Sequence, residues 1–513
     1  MKFDRPDSFL PRPISLSAGT SMSVGLSRRR FLAALATQSV ATMALPALLQ
    51  PARLFAQQQE DAPAKKTSRA AAKEERNQLE FPRTKSPPAL RQATLQVATA
   101  GNLKLNADGQ KVTKRPVQVT GELAYDETSA ADSLPVRHYT KAQAQIVVGK
   151  TTFDNRLDDS HRTLALHREG EQIILYSPLG PLTRDELELA QVPGAGAPLE
   201  ELLPESPVSI GDTWKLPDTV LARLLWLDAV SGCEVTATLK SIDKHVALVT
   251  LEGNVSGAVG GIATEIDLQA KLNYDVDSQF VTWLVLAVQE NRSIGHAAPG
   301  FETKSQIKIA VRAIESSPHL SDDYVAKLPL EFQPGNALLQ YESSEGRFRT
   351  LLDRRWRLMV NRHDLTVLRL IDRGDLVAQC NLSRLPALAP GKQLPLEELQ
   401  DDIKNSLGKN FRQFVEASQS VTDDGLRILR VTVVGESSDI AVQWNYYHVS
   451  NDKGQRMALV FTFESCPLDR FADIDRPLVA ALQFLDDPEP TPGKPEAAKA
   501  DATSAKPTRS VQK

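Results

Sequence analysis

The sequence predicts an α+β protein with two folded domains. The first is β-rich, a sandwich or half-barrel. The second is an α/β/α sandwich in which helices split runs of antiparallel strands. Three observations carry this expectation. Apolar residues recur at every second position through most of residues 92–315, the period of a strand. After Pro395 the period changes once to three and four, that of an amphipathic helix. Residues 57–91 and 488–513 are rich in Pro, Ala, Lys and Glu with no apolar period, a composition that cannot bury enough surface to offset chain entropy.

The chain has 513 residues, of which 41% are hydrophobic, so it can bury more than one core. Net charge is −4 and no basic stripe follows the first residues, which argues against nucleic acid as a partner. With 3 Cys (Cys233, Cys380 and Cys466) it is not a disulfide-dense scaffold. Cys380 and Cys466 could pair in an oxidising compartment; three buried thiols acting as small hydrophobes explain the same text.

The N-terminal segment, residues 1–56, begins at Met1 or Met22. Arg28, Arg29 and Arg30 precede an apolar run from Phe31 to Leu49, diluted by Thr37, Gln38, Ser39 and Thr42 and bent at Pro46. That is the order of an export signal, and the dilution separates it from a membrane span. Cleavage is expected after Ala56. Ser27, Arg28, Arg29, Phe31 and Leu32 closely resemble the twin-arginine signal, with Ala33 at its usual basic position. The resemblance implies that a folded protein is carried across a bacterial inner membrane, to a periplasmic or other extracytoplasmic site, with no membrane span after signal removal.

In residues 92–315, Thr264, Ile266, Leu268, Ala270, Leu272 and Tyr274 share one strand face. Phe280, Thr282, Leu284, Leu286 and Val288 share another, and polar Asp275–Gln279 joins the two as a hairpin. Val235–Ile242 and Val246–Gly253 form a second hairpin, and Ile307, Ile309 and Val311 close the set. Leu182–Leu189 and Pro217–Leu227 are the helices. The phrase Gly211-Asp212-Thr213-Trp214 enters a strand from a turn. It loosely resembles secreted β-rich domains of the LolA/LppX type, which implies an open half-barrel; an open apolar interior would favour carriage of an apolar molecule and a packed one scaffolding.

Residues 316–335 read as a linker and 336–487 as the second domain. Strands are expected at Leu338–Tyr341, Arg347–Leu351, Arg355–Val360, Thr366–Ile371 and Leu376–Leu382. A helix then carries Leu396, Leu399, Ile403, Leu407, Phe411 and Phe414 on one face, interrupted by Gly408. Strands Leu426–Val434, Ile440–Val449 and Gln455–Glu464 follow, with a last helix from Asp475 to Leu485. The element order, with Tyr341, Gly346-Arg347-Phe348, Trp356 and Trp444-Asn445-Tyr446-Tyr447, resembles the PsbP-type fold. That family has no common enzymatic activity, so the resemblance implies a binding or assembly module.

No catalytic constellation emerges. There is no Gly-x-Ser-x-Gly elbow and no His-Glu-x-x-His. His161 and His167 would share a strand face beside Asp158 and Asp159; a metal site would need a further ligand, and exposed polar strand residues explain the same text. Gly257, Gly260 and Gly261 lie between strands, which makes them a hairpin rather than a phosphate cradle. Asp401 and Asp402, adjacent on a helix, do not face each other. Trp444, Tyr446 and His448 share one face of a strand and Asn445 and Tyr447 the other, leaving Tyr447 as the candidate partner surface. No cofactor motif is recognisable. The expectation is an exported, non-enzymatic envelope protein that binds an apolar small molecule or an envelope partner, or serves as a scaffold. The alternative is a cofactor- or metal-dependent exported enzyme.

Overall fold

The computed structural model describes residues 79–486, apart from 82–88, 107–110, 129–134, 197, 390, 438–439, 465–470 and 472. The expected export motif Ser27–Leu32, the tail from 488 and Cys466 lie outside the described residues, and with Cys466 goes the pairing considered for Cys380. Part of the segment expected to be disordered is packed. Leu79 bridges Val208, and the buried Phe81 ring meets Tyr274 edge-on at 4.9 Å.

The alternating text folds into thirteen antiparallel strands of one sheet. These are β1 (Leu90–Leu105), β2 (Thr113–Thr128), β3 (Val136–Val148), β4 (Thr151–Arg156), β5 (Thr163–Glu169), β6 (Gln172–Tyr176), β7 (Thr213–Lys215), β8 (Ala229–Cys233), β9 (Thr236–Asp243), β10 (Val246–Val259), β11 (Ile262–Asp275), β12 (Phe280–Arg292) and β13 (Gly300–Ala313). Their order is β6-β5-β3-β2-β1-β13-β12-β11-β10-β9-β7, with β4 added to β3 and β8 to β10. The first and last strands therefore meet at the centre. One core draws Leu175 and Leu164 from one end of this order and Leu239 and Val249 from the other, so the sheet curls around it. Inside the curl lie two short helices, α1 (Arg184–Ala190) and α2 (Asp218–Leu225), which contribute Leu187, Leu189, Leu221 and Leu224.

Residues 316–337 are a packed strap rather than a free linker. They include the single turn α3 (Asp322–Val325). Leu320 is buried with Val136, Ala165 and Tyr176, and Phe332 stacks on His167 at 4.1 Å.

The rest forms a small sheet and a larger one. The small sheet is β14 (Leu339–Ser343), β15 (Phe348–Leu352) and, from the far end of the chain, β23 (Gln483–Phe484). The larger has seven antiparallel strands: β16 (Trp356–Asn361), β17 (Thr366–Asp372), β18 (Asp375–Leu385), β19 (Phe411–Val421), β20 (Arg427–Ser437), β21 (Ile440–Ser450) and β22 (Arg456–Glu464), in the order β16-β17-β18-β22-β21-β20-β19. Helix α4 (Leu396–Leu407) covers one face through Leu399, Ile403 and Leu407. The other face is covered by β15 and the six-residue α5 (Asp475–Ala480).

The expected α+β class, with a PsbP-like α/β/α sandwich, is thereby corrected: the chain is β-rich and built on two large antiparallel sheets. The reason lies at two helix ends. Gly408 takes φ +54° and ψ −120°, a conformation open to glycine alone, and stops α4 at Leu407. Phe411 and Phe414, which continue the helical spacing, belong to β19. The last helix ends at Ala480, and Gln483–Phe484 pair with β15 as a strand. One cover layer is thus partly sheet.

Tyr447 is also corrected. A layer on each face of the larger sheet buries Tyr446 and Tyr447 alike, in opposite cores. Tyr447 is 4% exposed and its hydroxyl donates to the Asp475 carboxylate at 2.7 Å, so it presents no surface to a partner.

Candidate functional site

The inward positions of the curled sheet follow from its register. Val97 faces Gly121, which faces Ala144; Thr99 faces Val119, which faces Ile146. On the other side of β1, Thr99 faces Ser305 and Leu103 faces Phe301. At one end these positions are filled by α1, α2 and the segment Leu199–Leu203. At the other, Leu103, Val117 and Val148 close on Phe153 and Phe301 as a small cluster.

Between the two packed ends lies a cavity of about 720 Å³. Its floor is Val97, Val119, Gly121, Ala144 and Ile146; its opposite wall is Val192, Ala222, Trp226 and Val230. Val97, Val119, Ala144 and Ile146 occupy inward positions yet remain only half-buried. Apolar surface is therefore left in contact with the cavity instead of with protein. The floor is low because its central residue is Gly121, where a Cβ would meet Val97 and Ala144 at 3.6 and 3.7 Å and extend upward. On the wall, Trp226 ends α2 in the left-handed conformation at φ 54°, and its indole N–H donates to the Val192 carbonyl at 2.9 Å. That bond fixes the ring's polar end and leaves its apolar face to the cavity.

Polar side chains make up the rest of the lining, among them Glu188, Gln191, Asp218, Arg223 and Asp228. The Thr99 and Ser305 hydroxyls pair at 2.8 Å. Glu290 and Arg292, both inward-facing, form an ion pair at 2.5 Å, and the guanidinium lies 5.0 Å above the Phe301 ring. Arg357 of β16 reaches the rim beside Gly260, so the larger sheet contributes to the mouth. A second cleft of similar size, on the outer face of β1, β2 and β3, is lined instead by Gln96, Glu122, Gln143, Gln145 and Lys308.

The other residues noted in the sequence lie elsewhere. His161 sits in a 3-10 turn before β5, not on the strand that carries His167, and its Nδ1 meets both oxygens of Glu186 at 2.9 and 3.1 Å. His167 is on β5 against Phe332. The pair is thus split. Among the described residues no group of three His, Cys, Asp or Glu side chains is placed to hold a metal ion, and no helix is long and apolar enough to cross a membrane. Gly260 and Gly261 form the β10–β11 turn. Trp226, Val97 and Ile146 escaped sequence reading: apolar residues at strand spacing look the same whether they meet a core or an empty space.

No family model matches the chain, and no curated protein matches it. Among solved structures the chain is similar to lipovitellin, in a study of its lipid–protein interactions, with 8% identity and a TM-score of 0.29 over 47% of this chain. It spans only 27% of that chain's length. It is also similar to the outer membrane protein OprD from Pseudomonas aeruginosa, with 9% identity and a TM-score of 0.11 over 76% of this chain and 95% of that one. Likenesses of this size carry no conclusion about function.

Proposed function

We propose that this is an exported bacterial binding protein whose curled sheet holds an apolar small molecule. One observation carries the reading: inward-facing aliphatic residues are left half-exposed around a cavity of about 720 Å³. A size between roughly 300 and 1,000 Å³ is that of a small-molecule site, and Val97, Val119, Ala144, Ile146 and Trp226 give this one its apolar surface. Water in such a space gains little from Val, Ala and Ile, whereas an apolar ligand gains about 25 cal/mol for each Å² of surface removed from water. The twin-arginine signal, read from Ser27, Arg28, Arg29, Phe31 and Leu32, belongs to the same proposal: it sets the compartment in which the ligand is met.

The test is displacement of a fluorescent apolar probe, N-phenyl-1-naphthylamine, from the purified protein. Probe fluorescence is expected to rise with the wild-type chain. Ala144→Phe, which puts a ring onto the cavity floor, is expected to weaken probe affinity about tenfold or more, some 1.4 kcal/mol. Unchanged probe affinity in this variant, with an unchanged melting temperature, would remove the cavity from consideration. Export is tested separately: Arg28→Lys with Arg29→Lys should leave the protein in the cytoplasm.

A further inference from the structure

The thirteen-stranded sheet ends in short strands, β6 and the six-residue β4 on one side and β7 and the five-residue β8 on the other, and one edge of the seven-stranded sheet is packed. β6 is five residues long and lies under the strap, with the Tyr176 hydroxyl donating to the Leu330 carbonyl at 2.9 Å. β7 has three residues. β16 is packed by Ala297 of the first sheet's 293–299 loop, which is buried with Met359 and Val367.

The other edge of the seven-stranded sheet, β19, differs. It is eleven residues long, and among the described residues it pairs with β20 alone. Every residue from Val415 to Val421 is exposed; Val415 and Val421 are 56% and 63% exposed. Edge strands are normally blunted by bulges, prolines, lysines or a covering segment. Here the register shifts are confined to Phe411–Glu416. From Glu416 to Val421 the ladder is regular, and this stretch contains no Pro and no Lys. Its outward N–H and C=O groups form a template for another strand.

We propose that this edge pairs with the same edge of a second copy, antiparallel about a two-fold axis through Glu416–Val421, making one continuous sheet across a dimer. Charge selects that occupant and that direction. Arg412, which within one chain pairs with Glu436 of β20 at 2.5 Å, lies at one end of β19, and Asp423 and Asp424 lie in the turn after its other end. A two-fold arrangement brings Arg412 of each copy to the Asp423–Asp424 turn of the other. Parallel pairing would set arginine beside arginine. Between the ends the only charge is Glu416, already ion-paired with Arg430 of β20, so no like charges oppose each other at the centre. The contact is isologous, so it closes at two copies and does not propagate.

The experiment is sedimentation equilibrium of the full chain across a concentration series. The mass is expected to rise from 56.3 kDa toward twice that value. Ala417→Lys with Gln419→Lys, which lines the shared edge with positive charge, is expected to abolish the rise; an unchanged circular dichroism melt verifies folding. Arg412→Glu should weaken the dimer tenfold or more, and adding Asp424→Arg should restore it. A chain that stays monomeric up to about 1 mM overturns the proposal. So does a dimer indifferent to both sets of variants, or an edge found to pair only with a segment of another protein.

Discussion

Tyr447 shows how a residue's role follows from what covers it. Its hydroxyl and the Asn445 amide donate to the same Asp475 oxygen, at 2.7 and 2.8 Å, and Asp475 is fully buried. Burial pushes the phenol far above its ordinary range, with the Asp475 charge adding to the shift, so it stays a donor at every working pH. Tyr447→Phe removes one donor from a buried carboxylate and should cost about 1–3 kcal/mol. A lower urea midpoint with an unchanged slope checks this. His448, one position on, is buried, and among the described residues neither ring nitrogen has a partner. Burial, aided by Arg456 and Arg427, pushes its imidazole down to about 4. The folded pKa is below the unfolded value near 6.5, so the neutral ring's contribution is complete above pH 6.5. It is lost as pH falls toward 4, to about 3 kcal/mol. His448→Phe should flatten the stability profile over that window, as measured by urea unfolding at successive pH values.

At the scale of elements, helix α1 is held by its first turn. The Thr183 hydroxyl accepts from the Glu186 backbone N–H, and Glu186 reaches back to the Thr183 backbone N–H at 2.8 Å, a reciprocal cap. Burial pushes the Glu186 carboxyl up, but the N–H groups of Thr183 and Asp158 and the His161 ring outweigh it and hold it below the usual carboxylate range. Its contribution is therefore present above the unfolded value near 4.3 and lost as pH falls below it. Thr183→Ala should cost about 0.5–2 kcal/mol, and hydrogen exchange in Arg184–Ala190 should rise with it. The spacing of Phe411 and Phe414 continues the period of α4, yet Gly408 ends the helix at Leu407. A single glycine outweighs two well-placed aromatics because its conformation excludes any continuation. By contrast, the β11–β12 hairpin was legible, since its buried residues alternate without interruption from Thr264 to Tyr274.

Across the whole molecule, two glycine turns set how the sheets meet. Gly261, at φ +71°, touches Gly374, at φ +90°; a Cβ on Gly261 would lie 1.8 Å from the Gly374 nitrogen. Three arginines reinforce the junction. Arg184 donates to the Arg354 carbonyl at 2.5 Å, Arg357 donates to the same carbonyl, and Arg354 donates to the Leu175 carbonyl at 2.7 Å. Burial pushes the Arg354 guanidinium down to about 10, which still leaves it charged. Gly261→Ala should force the turns apart. The expected result is faster hydrogen exchange in residues 293–299 and 359–371, where Ala297 packs on Met359, Val367 and Ile371, with the β1–β13 pairing unaffected.

Period-two text and turn residues were enough to place β9 to β13, most strands of the two later sheets and both helices inside the first sheet, because alternation and turn chemistry act between near neighbours. What only the tertiary structure decided is which inward apolar positions meet other side chains and which meet open space, and which edge stays bare. Val97 and Leu95 are two residues apart on the same face of β1, and only the first borders the cavity. That distinction depends on how far α1 and α2 reach into the curl and on where the larger sheet docks. Both depend on contacts between residues more than a hundred positions apart, which no local pattern encodes.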